Sequence, residues 1–160
     1  LTSQTTGGGI ALALSLLHAY TDPFFDPYFD CITDDAVQSL PLTWTDEEVK
    51  LLARVSPLLG QRTVSQRHYD RWSYRMLLPH LQKRLDPEVL TEDMFHWALS
   101  FVRSRSCGHG EDLHLIPGLD RHNHGPGGAN FPSAGPVVAR SGVARWEEIR
   151  FAYFKEPCEV

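Results

Sequence analysis

The sequence predicts a mixed α+β fold in which helices come first and short strands follow. About four segments before residue 106 have the caps, composition and apolar spacing of helices. From Leu113 the pattern changes to short apolar runs between glycines and prolines, which is typical of strands and loops. The composition, 42% hydrophobic and 22% charged over 160 residues, is that of one domain with its own core.

The first predicted helix covers Gly9–Tyr20 and ends at Asp22-Pro23. It is apolar nearly all round, so we expect it to be buried on most sides. The aromatic segment Phe24–Phe29 predicts a short packed turn or one helical turn against this helix.

Two further helices are predicted between Thr45 and Pro79. Thr45 and Glu48 form a capping-box pattern for a helix that starts at Asp46 and fades before Pro57. An amphipathic helix is predicted from about Ser65 to Leu78, and Pro79 should end or bend it. Its apolar side carries Tyr69, Trp72, Met76 and Leu77. The face predicted to be solvated carries Arg67, Asp70, Arg71 and Arg75.

The last predicted helix starts at the cap Thr91 and ends at Arg103–Gly108, where cations favour the helix C-terminus. Its buried face should carry Phe95, Leu99 and Val102, widened by Trp97 and Phe101. Arg103 is expected to be a plain surface residue. Beyond it, 137–139 and 149–153 are candidate strands.

Charge, hydrophobic content and cysteine content limit the partners and locations that the sequence allows. The net charge of −5 and a pI near 5.9 argue against a nucleic-acid partner, which favours a basic face. The apolar run Ile10–Leu17 is too short to span a membrane. Three widely spaced cysteines do not form a disulfide framework, which favours an intracellular location.

A zinc site is a minor alternative, because the spacing of its candidate ligands matches no zinc finger. Those candidates are Cys107, His109, His114, His122 and His124.

The densest polar stretch follows a short apolar strand that begins at His114. Pro117 and Gly118 should stop that strand, because proline cannot donate to a ladder and glycine frees φ. The polar run 120–124 comes next, and the glycines of 125–128 allow close approach of the backbone to a ligand.

Residues 115–124, with the spacing Leu-Ile-Pro-x-x-Asp-x-x-Asn-His, resemble the signature of SET-domain methyltransferases. The closer similarity is to the branch typified by the RuBisCO large-subunit lysine methyltransferase. It extends over Gly9–Val160. Supporting pieces, in the expected order, are Pro27-Tyr28, Leu40-Pro41, Trp44-x-x-Glu47-Glu48 and Phe95-x-Trp97-Ala98-x-x-x-Val102-x-Ser104-Arg105.

The resemblance implies an incomplete SET fold. Residues 1–43 would end the N-terminal SET half, 44–106 would form the helical insert, and 107–160 would begin the C-terminal half with its short strands. It also implies a protein N-methyltransferase that uses S-adenosylmethionine and acts on a lysine-bearing protein, without metal.

Carried over by motif, Arg105, Asn123 and His124 are expected at the cofactor, and Arg105 and Asp120 near the substrate channel. An arginine can pair with a carboxylate in bidentate fashion, and asparagine offers both a donor and an acceptor. We expect the loop around Asn123 to fold back against the end of the Arg105 helix.

Two departures bear on activity. The N-terminal Gly-x-Gly of the family is absent, and Pro157–Val160 resembles only the start of the strand that precedes the catalytic tyrosine. We therefore expect a fragment with weak or no catalysis, its catalytic residue unknown. Two alternatives stay open: a histidine acceptor, and a non-catalytic protein-interaction module derived from a SET domain.

Overall fold

The computed structural model describes residues 7–32, 37, 39–108, 113–118, 120 and 145–146. The chain divides into two compact units, Leu1–Ile116 and Pro117–Val160. The helices whose bounds lie within the described residues of the first unit are α1 (Gly7–Ala19), α2 (Asp26–Phe29), α3 (Asp46–Val55), α4 (Pro57–Leu81) and α5 (Glu92–Arg105), with a 3-10 turn at Pro23–Phe25 before α2.

The core of the first unit lies where α1 packs against α5. The helix α5 supplies the largest fully buried side chains, Phe95 and Phe101, and α1 contributes Leu17. Burying such side chains is the main favourable term in folding, about 1.5–3 kcal/mol for each aliphatic or aromatic group. The predicted apolar face of α5 is therefore confirmed, and this helix is the centre of the unit.

The predicted helix starts at Thr45 and Thr91 are confirmed. The Thr45 backbone N–H donates to Glu48 Oε2 at 2.7 Å, and the Glu48 N–H donates to Thr45 Oγ1 at 3.3 Å, which completes a capping box. Thr91 Oγ1 accepts from the N–H of Met94 at 3.1 Å. These bonds satisfy N–H groups that the first turn leaves without a partner.

The consecutive helices α3 and α4 pack against each other, and Gly60 lies close to Ala53. A Cβ atom at Gly60 would lie 2.5 Å from Ala53 Cβ, closer than real Cβ contacts allow. Only Val49 of α3 is buried. The small residues at this contact let α3 and α4 approach closely with few buried apolar side chains on α3.

The structure corrects the prediction for α4 in length and in orientation. The helix starts before Ser65 and continues through Pro79, ending at Leu81. Trp72, predicted on the buried side, is 58% exposed, whereas Asp70, predicted on the solvated side, is 3% exposed. Asp70 is buried because α5 places Arg103 opposite it, as described below, whereas Arg71 and Arg75 are exposed as predicted.

The predicted α+β class is wrong for the part of the chain that the structure describes. Those residues are helical and contain no strand. The predicted strand at His114 is reduced to an isolated antiparallel bridge with Cys107. The turn at Pro117-Gly118 follows after two more residues, with φ of +85° at Gly118, so no ladder extends there. The candidate strands 137–139 and 149–153 lie outside the described residues.

No helix in the described ranges is long and apolar enough to cross a membrane.

Candidate functional site

Arg105, a predicted cofactor and substrate residue, is the last residue of α5. Its guanidinium carbon lies 5.6 Å from the centroid of the Phe101 ring, one turn earlier in the helix. Such a cation–π contact is worth roughly 0.5–2 kcal/mol, depending on how far the cation is removed from water. The contact holds the guanidinium near the Phe101 ring at the end of the helix.

The ring beneath Arg105 is held by other aromatic side chains. Phe101 is fully buried, stacks on Trp97 with centroids 5.5 Å apart, and meets the edge of Tyr28 at 6.5 Å. Trp97 also contacts Tyr20 and Phe29 at 6.0 and 6.5 Å. The segment predicted to pack against the first helix thus builds an aromatic cluster with α5. This cluster fixes the position from which Arg105 can present a planar, bidentate donor set to a carboxylate.

Arg103, predicted to be a plain surface residue, instead forms a buried ion pair with Asp70 of α4. Its two terminal nitrogens lie 2.6 and 2.5 Å from the two carboxylate oxygens, and the side chains are 16% and 4% exposed. Gln66 Nε2 donates to Asp70 Oδ1 at 3.1 Å. The two arginines at the end of α5 therefore differ in role, since Arg103 joins α5 to α4.

A signal for this pair is present in the sequence. Asp70 is the only acidic residue in α4, a helix with four arginines. A single carboxylate among like charges is a candidate for a specific partner, but its angular position on the helix does not show which helix will cover it.

His96 of α5 lies within electrostatic reach of Asp70. Its Nε2 is buried and has no hydrogen-bond partner in the described structure. Burial lowers the pKa of His96 below its ordinary value of 6.5, although the carboxylates of Asp70 and Glu92 act in the opposite direction. The imidazole is therefore neutral near pH 7.

We expect the protein to be less stable in mild acid than at neutral pH because of His96. Because its pKa is lower in the folded state, the unfolded chain takes up more protons below about pH 6.5, and stability falls as the pH falls through the folded-state pKa. His96→Gln removes this contribution. Urea unfolding at pH 7.5 and pH 5 should show a smaller pH-dependent loss for His96→Gln than for the wild type.

His68→Gln is the matched control, because His68 is exposed on α4. Equal pH dependence in the wild type and in both variants would contradict the assignment to His96.

Just after Arg105 the chain turns back on itself. The backbones of Cys107 and His114 exchange two hydrogen bonds of 2.9 and 2.8 Å, and Gly108 takes a φ of +100°, which favours glycine. Leu115 then packs against the core. The bridge ties the residues that lead to the predicted motif to the end of α5.

The other predicted site residues are distributed as follows. Asp120 belongs to the second unit, where it is 7% exposed. Asn123 and His124 lie outside the described residues. A buried carboxylate such as Asp120 needs polar or cationic partners, which fits a structural or a ligand-binding role equally. The predicted proximity of Asn123 to Arg105 stays a prediction.

The zinc alternative gains no support in the described residues, where no group of three metal-ligating side chains comes together. Cys107 and His114 are paired through their backbones. His109, His122 and His124 lie outside the described part.

Comparison with known proteins gives one partial similarity. The chain is 29% identical, over 133 residues, to the ribulose-1,5 bisphosphate carboxylase/oxygenase large subunit N-methyltransferase, chloroplastic, of Pisum sativum. The match covers 79% of this chain and 26% of that protein, so the chain spans about a quarter of the relative's length. No protein-family model and no solved structure matches the chain. This partial similarity supports a relationship between the chain and methyltransferases.

Proposed function

We propose that this chain belongs to a protein N-methyltransferase of the SET class that uses S-adenosylmethionine and has lysine as its acceptor. The similarity to the large-subunit N-methyltransferase carries the proposal. In it, residues 44–106 form the helical insert and 107–160 begin the C-terminal SET half. The substrate is a protein, and the intracellular location stays a prediction.

The end of α5 fits the carboxylate of the cofactor. Arg105 is partly buried, permanently charged and supported by Phe101 at 5.6 Å. A guanidinium in this setting has lost part of its side-chain freedom already, which reduces the entropic cost of binding a carboxylate. A lysine at the same position would supply the charge without the planar fork.

When bound, the cofactor supplies a methyl group on a sulfonium for transfer to an amine nitrogen. Arg105 would hold the methionyl carboxylate, and Asn123 and His124 would bind the remaining polar groups of the cofactor. Asp120 would orient the cationic substrate side chain. These residues would contribute by positioning the two reactants, and such positioning can supply a large part of the lowering of the activation barrier in a transfer reaction. The residue that receives the proton stays unknown.

The test is calorimetric titration of the chain with S-adenosylhomocysteine, the demethylated and therefore unreactive product. We expect binding that weakens at least about tenfold in Arg105→Met, because a hydrogen bond to a charged group is worth roughly 1.5–3 kcal/mol. Arg105→Lys should recover only part of the affinity.

Arg54→Met is the matched control, since Arg54 is another arginine in the last turn of a helix and is exposed. The Arg54→Met variant should bind S-adenosylhomocysteine as tightly as the wild type does. Absence of heat at millimolar ligand, or equal losses in the Arg54 and Arg105 variants, would count against the proposed cofactor site.

The acceptor alternatives are separated by mass spectrometry after incubation with isotopically labelled S-adenosylmethionine and peptides that contain either lysine or histidine. Label on the lysine peptide supports the proposal. Label on the histidine peptide alone assigns the alternative acceptor.

The second candidate function is a non-catalytic protein-interaction module. The observation that favours it is the exposed apolar side of α4, where Trp72 and Met76 are 58% and 57% exposed. Failure to bind S-adenosylhomocysteine would leave this candidate in place.

A further inference from the structure

The solvent-facing side of α4 carries three large side chains in one row. Tyr69, Trp72 and Met76 are 39%, 58% and 57% exposed, and their spacings of three and four residues place them on one face of the helix. The Tyr69 and Trp72 rings are in contact, with centroids 6.0 Å apart. We call these three residues the α4 seam.

One flank of the seam carries three basic residues, one of which, Arg71, lies 3.5 Å from Glu92 in a half-exposed ion pair. His68, Arg71 and Arg75 each precede a seam residue, which places them along the same edge, and all three are exposed. The only acidic residue of the helix, Asp70, faces the opposite way and is neutralised by Arg103. Because the whole chain has a net charge of −5, overall composition does not explain this basic flank. It is complementary to an acidic partner.

The α4 seam is about as wide as the surface that one helix buries against another. The alternation of three and four residues is that of positions a and d in a coiled coil, and a stripe of those positions alone is narrow. The same three- and four-residue spacing, continued toward the start of α4, leads to Ser65 and Arg62, which are polar. The seam itself therefore covers about two turns of α4. A membrane surface would need a wider apolar face than these three residues offer.

We propose that the α4 seam is a docking site for an acidic amphipathic helix of a partner protein. The apolar side of that helix packs on Tyr69, Trp72 and Met76, and its carboxylates lie against His68, Arg71 and Arg75. Such helix-on-helix docking excludes water from the aromatic rings and uses the charged flank to fix orientation. The site is independent of methyl transfer and of Arg105.

The probe is a fluorescently labelled peptide of about three heptads with leucine along one stripe and glutamate on both flanks, at nanomolar concentration. The comparison peptide has lysine in place of every glutamate. Anisotropy with the wild-type chain should show binding of the glutamate peptide at least about tenfold tighter than of the lysine peptide, and weaker at high salt.

Three variants test the residues. Trp72→Ala/Met76→Ala should weaken binding of the glutamate peptide at least about tenfold, as expected for aromatic anchors. His68→Glu/Arg75→Glu should reverse the preference between the two peptides. Val55→Ala, an 80% exposed residue on α3, is the control and should change nothing.

Other occupants give distinct results. Equal binding of the two peptides would overturn the proposal. Two other results would also overturn it. One is Trp72-dependent binding to vesicles of phosphatidylserine and phosphatidylcholine without binding of the glutamate peptide. The other is Trp72-dependent dimerisation, measured by sedimentation at micromolar concentrations of the chain.

Discussion

Replacing Arg103 by methionine is expected to lower the free energy of unfolding by about 3–5 kcal/mol, the usual cost of leaving one partner of a buried ion pair alone. Asp70 is 4% exposed at its side chain, so water cannot replace the two bonds that Arg103 makes. Gln66 supplies one further bond to Asp70, which is insufficient for a full charge. The loss is large against a typical total stability of about 5–15 kcal/mol.

The measurement is urea unfolding monitored by circular dichroism. Asp70→Leu/Arg103→Met removes both charges together and should recover most of the loss, because apolar replacement of a buried pair is often close to neutral. Arg71→Met is the matched control. Its ion pair with Glu92 is longer, at 3.5 Å, and half-exposed, so its loss should stay under about 1 kcal/mol. An Arg103 variant no less stable than the Arg71 variant would refute the structural role of Arg103.

Phe101→Ala should cost about 3–5 kcal/mol of unfolding free energy and lower Tm by about 10 °C. Phe101 is fully buried between Trp97 and Tyr28, so truncation leaves a cavity that the surrounding rings can fill only in part. The same change removes the support beneath Arg105.

Phe101→Leu separates these two effects. It keeps much of the buried volume, so the stability loss should be under about 1.5 kcal/mol. It removes the aromatic face, so binding of S-adenosylhomocysteine should still weaken if Arg105 holds the carboxylate. Phe24→Ala, a truncation of an 81% exposed ring, is the control for scanning calorimetry and should change Tm little. Stability of Phe101→Ala equal to that control would contradict the packing described for α5.

The helix starts and the buried face of α5 follow from the sequence. Thr45 and Thr91 satisfy N–H groups within three residues of themselves, and the spacing of Phe95, Leu99 and Val102 places them together wherever the helix packs. These are short-range relations, so neighbouring residues suffice to establish them. The arrangement of Arg105 over Phe101 is also local, at a spacing of four residues.

Other features depended on segments distant in the chain. Apolar spacing predicts that Trp72 is buried and Asp70 exposed, but Asp70 pairs with Arg103, 33 residues away, and is buried while Trp72 is exposed. The same pairing made Arg103 a largely buried residue, although it lies two residues from Arg105 at a helix end that the sequence alone predicts to be surface. The strand predicted at His114 became a single bridge, because a ladder needs a partner strand and the described residues provide none.

The sequence by itself determined where α3 and α5 begin, which face of α5 is apolar, and the resemblance that led to methyl transfer. The tertiary structure decided which residues of α4 face solvent and which residue pairs with Arg103. The physical reason is that a buried charge is stable only opposite its counter-charge, and the position of that counter-charge is set by helix packing rather than by sequence spacing.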